Sequence, residues 1–159
     1  MTIASKRTTA IRNPDLALLM LRVVVGIVFL GHGAQKLFGA FSGGGLDGTA
    51  RMMSGIGLQP GMLFAVLGGT IEFGGGLLLI IGVLTRLVGL ALVGNMVVAI
   101  ALVTGRNGFF IQNQGYEFNL TLIAIALALV IAGPGQLSLD HWFGIDTWVG
   151  RLWRRLSNR

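Results

Sequence analysis

A single carboxylate in the middle of a long apolar run limits what this chain can become. Residues 61–84 read GMLFAVLGGTIEFGGGLLLIIGVL, about 24 nearly uninterrupted apolar or small residues before Thr85-Arg86, enough to cross a bilayer. Glu72 sits close to the centre. An ionised side chain at that depth costs on the order of 3 kcal/mol on insertion scales, so it faces protein and marks a functional site by default. Gly68, Gly69, Gly75 and Gly76 stand three and four residues to either side of it, on the same helical face. Small residues in that position let a second helix approach closely. The remaining chain has to supply what meets Glu72.

Composition agrees with a membrane setting. The 159 residues are one domain by length, 53% hydrophobic and only 11% charged, outside the ordinary soluble range. The net charge of +6 is carried mostly by basic residues that flank apolar spans, a topology signal, so nucleic acid is excluded as a partner. Cysteine is absent, which rules out disulfides, thiolate catalysis and Cys-held iron–sulfur clusters.

The expected fold is all-α, a four-transmembrane-helix bundle with both termini cytoplasmic and a C-terminal amphipathic interfacial helix. Residues 1–14 form a basic cytoplasmic tail, 15–137 the membrane domain and 138–159 the interfacial tail. The spans fall at about 15–38, 61–84, 87–104 and 116–132. The first run is too long for a signal-peptide core and carries Arg22. Between spans one and two, Ala50, Met53 and Ile56 have helical spacing behind Asp47, which reads as a short interfacial helix or an ordinary loop. In the tail, Ile145, Trp148, Val149, Leu152, Trp153 and Leu156 oppose Asp146, Arg151, Arg154 and Arg155, the pattern of a helix lying in the headgroup layer. Lys6, Arg7, Arg12, Arg86, Arg151, Arg154, Arg155 and Arg159 fall on the terminal side, against Lys36, Arg51 and Arg106 on the other. The positive-inside rule puts the termini in the cytoplasm.

Every span contributes a polar group. At 1.5 Å per residue from the cytoplasmic ends, Arg22 lies at roughly 11 Å, Asn95 at roughly 14 Å and Glu72 at roughly 18 Å. Arg22, Gly26, Phe29, Gly33 and Lys36 form one stripe on the first span. A snorkelling arginine spans the remaining 7 Å or so, so Arg22–Glu72 is the expected ion pair, either a structural clamp or part of a site. Asn95 and Asn119 are interhelical glue or ligand contacts. His32, Gln35, Lys36, Tyr116 and Glu117 gather toward the opposite face as candidate rim residues of a small-molecule pocket. His141 lies at the other face from His32, so no bis-His haem site forms, and no metal site is expected. No residue declares itself catalytic.

Four segments, LRVVVGIVFLGHGAQKLFG, GTIEFGGGLLLIIGVLTR, NGFFIQNQGYEF and GPGQLSLD, occur in this order between Leu18 and Asp140. Together they resemble the DoxX family of small bacterial four-helix membrane proteins. Arg22, His32, Gly33, Lys36, Glu72, Gly75, Arg86, Gly108, Tyr116, Glu117 and Asp140 stand at its motif positions. The resemblance implies a bacterial cytoplasmic (inner) membrane location and a link to quinone or thiol redox metabolism. Members look like subunits of thiosulfate:quinone oxidoreductase or partners of oxidative-stress enzymes. Two functions follow as expectations. The bundle binds a quinone-like molecule through Glu72, His32 or Lys36, with electrons supplied by a partner. Alternatively it is a non-catalytic anchor or assembly factor for a soluble redox enzyme; a small transporter ranks behind both. The candidate partners are the lipid bilayer, a soluble or membrane redox protein and a second copy of the chain. Quinone is the candidate cofactor, with none bound covalently.

Overall fold

A computed structural model describes residues 13–145. The described residues are helical and contain no strand. In order they form α1 (Asn13–Phe38), α2 (Gly45–Gly55), α3 (Gly61–Ile81), α4 (Thr85–Ala99), α5 (Glu117–Ala132) and a short α6 (Leu139–Trp142). Three helical segments are long and apolar enough to cross a membrane: α1, α3, and α4 with its continuation to Asn107. The apolar α5 is shorter, at 16 residues. The expected N-terminal tail, apart from Asn13 and Pro14, and the amphipathic helix beyond Ile145 lie outside the described residues.

Local chemistry sets the helix ends. Asp15 lies in the first turn of α1 and Lys36 in its last, each complementing the helix dipole. α3 stops at Ile81, three residues before the end of the expected span, because Gly82 turns left-handed (φ 72°). Val83 N–H donates to Leu78 O at 2.9 Å and Gly82 N–H to Leu79 O at 3.1 Å, which is a Schellman ending. α4 passes into a π-helical stretch at Ile100–Thr104. The segment after the first long helix is a helix, α2, and its Thr49 hydroxyl donates to Lys36 O at 3.3 Å.

The interior is polar and small-sided where a soluble protein's is not. Val25, Phe29, Leu79, Leu92, Met96, Leu122 and Leu129 form the apolar core. Arg22, Glu72, Thr85 and Asp140 are buried beside them, whereas Met20, Val24, Ile27, Leu87, Leu90 and Ile131 face outward. That inversion suits lipid as the surrounding solvent.

Glycine sets the register of α1 against α3. A Cβ on Gly26 would lie 2.6 Å from Ile80, on Gly33 2.6 Å from Phe73 Cα, and on Gly69 2.7 Å from Leu37 Cγ. One step up α1 therefore matches one step down α3. In this antiparallel register Glu72 faces the Lys36 end of α1, and Arg22 faces Gly82.

Candidate functional site

Two buried polar clusters follow from that register. Near the α2 end of the bundle, Glu72 is 1% exposed and pairs with Lys36, whose side chain is 27% exposed. The Lys36 ammonium donates to Oε1. Asn95, projecting from α4 beside Gly68, donates its amide N–H to the same oxygen at 2.8 Å. Oε2 has no donor among the described residues.

The expected Arg22–Glu72 pair is therefore corrected. Arg22 is 0% exposed, but its guanidinium donates to Leu137 O and lies under the charge of Asp140. A Cβ on Gly82 would collide with it. Asp140 accepts from Leu84 N and Thr85 N, both at 2.8 Å, and its own N–H donates to Gly82 O at 2.8 Å. This second cluster ties α6 and the residues just before it to the α3–α4 turn. The physical reason for the correction is the glycine contact: depths counted separately on two helices miss how far α1 overhangs the end of α3.

A cavity of about 110 Å³ opens beside the first cluster. α1 contributes Phe29, His32 and Lys36, α3 Glu72, α4 Met96 and Ala99, and α5 Phe118, Asn119 and Leu122. His32 and Phe118 are exposed, with ring centroids 6.1 Å apart, and form the mouth. Asn119 accepts from the Thr104 hydroxyl at 3.2 Å and donates to Met96 Sδ at 3.4 Å, which orients its amide on the wall.

Of the residues singled out in the sequence, Lys36, Glu72 and Asn95 thus form one network, and His32 and Asn119 join Lys36 and Glu72 around the cavity. The others stand elsewhere. Gln35 packs against Gly43 of the following turn. Tyr116 lies edge-on to Phe109 at 5.6 Å. Glu117 accepts from Ile111 N at 2.8 Å and holds the loop before α5. Phe29 and Met96 were not anticipated as wall residues; Phe29 stood on the α1 stripe between Arg22 and Lys36, which was the available signal. No group of three or more His, Cys, Asp or Glu side chains gathers among the described residues.

The sequence pattern of the DoxX family matches residues 17–105, which carry Arg22, Lys36, Glu72 and Asn95. CatD of Bacillus subtilis (strain 168), whose name assigns it provisionally to the oxidoreductases, is 33% identical over 126 residues, 79% of this chain and 86% of that protein. The chain belongs to the DoxX family. The inner membrane protein YqjF of Escherichia coli (strain K12) is 31% identical over 127 residues, covering 80% of this DoxX chain and 92% of YqjF. An uncharacterised membrane protein of Mycobacterium tuberculosis is 31% identical over 135 residues, 79% of this chain and 80% of that one. No solved structure matches. With three membrane-length apolar helices, this DoxX protein is a multi-pass protein of the bacterial inner membrane.

Proposed function

We propose that the cavity binds the head group of a quinone-like aromatic molecule, and that the protein serves as a membrane subunit or partner in quinone- or thiol-linked redox metabolism. The observation that carries this reading is Glu72, which lines the cavity and whose buried Oε2 has no donor among the described residues. Buried polar atoms are normally satisfied, and an exception calls for an explanation such as a ligand. Phe29, Phe118 and Leu122 offer apolar surface to a ring, while Lys36, His32 and Asn119 offer polar contacts to its substituents. A volume of about 110 Å³ is well below the ~300–1,000 Å³ of pockets that enclose a drug-sized ligand. It takes a head group, and an apolar tail would leave through the mouth into lipid. The oxidoreductase name of CatD supports the redox context. No side chain here is a stable electron carrier, so a partner would supply electrons.

In this reading α5, about 24 Å long, is the fourth span, and both termini are cytoplasmic on the count of lysines and arginines. The test is mass spectrometry of lipid-soluble molecules retained by the detergent-purified protein. A quinone retained by the wild type and lost in Ala99→Trp, which fills the cavity, is expected. Equal retention by both, or none by the wild type, would return the protein to the reading of a non-catalytic anchor.

A further inference from the structure

We infer that the cavity selects an aromatic hydroxyl over an aromatic carbonyl, and so takes a hydroquinone in preference to its quinone. The inference rests on the proposed head-group site and concerns which redox form that site accepts. Both donors that reach Glu72, the Lys36 ammonium and the Asn95 amide, fall on Oε1. As the ion-pair partner of Lys36, Glu72 is a carboxylate, so Oε2 is an acceptor only. Lys36 has three N–H donors, one of them on Oε1, and its side chain lines the same cavity.

Glu72 and Lys36 both line the cavity, so a ligand oxygen that reaches Oε2 meets an acceptor and a donor side by side. A quinone carbonyl can accept from Lys36, but its lone pairs then face Oε2, which stays buried and unsatisfied. A hydroxyl accepts from Lys36 and donates to Oε2 at once. The O–H to carboxylate bond is of the short, charge-assisted kind. Sites built around such a bond reject analogues that lack the donor by large factors. His32 at the mouth and Asn119 on the wall each contain both donor and acceptor atoms, so neither reverses this preference.

The test uses the full-length protein in quinone-free lipid nanodiscs. Isothermal titration with a decyl-tailed hydroquinone under argon is compared with its quinone and its dimethyl ether. The hydroquinone should bind about tenfold or more tightly than either. That ratio corresponds to an upward shift of about 30 mV in the midpoint potential of the bound couple. Glu72→Gln should reverse the preference: its amide oxygen stays on Lys36 and Asn95, and its NH₂ turns a donor toward the cavity. The three-ligand comparison on the wild type decides the question even where E72Q yields no folded protein. Equal or tighter binding of the quinone or the ether overturns the selectivity and leaves a quinone pocket standing. Failure of all three to bind overturns the pocket itself, and the selectivity with it.

Discussion

Lys36 and Glu72 are unequal partners, and their inequality is measurable. Breaking a buried ion pair by removing one member costs about 3–5 kcal/mol. Lys36 is a quarter exposed, so water lowers that ceiling. Lys36→Met leaves the Glu72 charge in a closed interior with only Asn95 to answer it. Glu72→Gln leaves a lysine that can snorkel toward water. Unfolding in mixed detergent micelles should therefore show the larger loss for Lys36→Met, with the double variant milder than the sum because no charge is stranded. Arg22 supplies the contrast. It stands level with Gly82, about 15 Å along α3 from Glu72, so Arg22→Met and Glu72→Gln should add within about 0.5 kcal/mol. A coupling between those two larger than their coupling to Lys36 would overturn the described register.

At the scale of elements, the α1–α3 contact brings backbone close to backbone at particular glycines. At Gly76 a Cβ would stand 2.6 Å from Leu30 N, and at Gly33 it would strike the Phe73 backbone. Backbone cannot move aside as the end of a long side chain can. Gly33→Ala or Gly76→Ala should force the helices apart, lowering the thermal midpoint and disturbing the Lys36–Glu72 pair. Gly31 and Gly74 lie on the same two helices with nothing within 4 Å of the added methyl. Ala there should be neutral or stabilising by up to about 1 kcal/mol, from helix propensity. Equal effects at all four positions would show that close approach is not what these glycines provide. Arg86 performs a related task between α4 and α5, where it donates to Val130 O and Ile131 O and satisfies carbonyls that end α5.

For the whole molecule, the expected topology is tested by reporter fusions after Gly44 and after Asn113, both of which should read out as periplasmic. Helical character, the membrane-length apolar spans and the stripe from Arg22 to Lys36 were legible in the chain, because composition and a 3.6-residue period are local properties. So was the role of Glu72 as a residue requiring a partner, since the cost of a charge in an apolar run does not depend on the fold. The identity of that partner was not legible. Arg22 and Lys36 lie on the same stripe of α1, and only the glycine-mediated register against α3 decides which of them arrives beside Glu72. Gly26, Gly33 and Gly76 bring two backbones into contact, and backbone contact fixes relative height in a way that separate depth counts cannot. The same register sends Arg22 to the α3–α4 turn, where Leu137 O and Asp140 await it, and leaves Glu72 lining the cavity with Oε2 lacking a donor among the described residues. The sequence by itself determined that charges would be buried; the tertiary structure decided which ones meet, because that choice depends on the offset between two helices packed glycine to backbone.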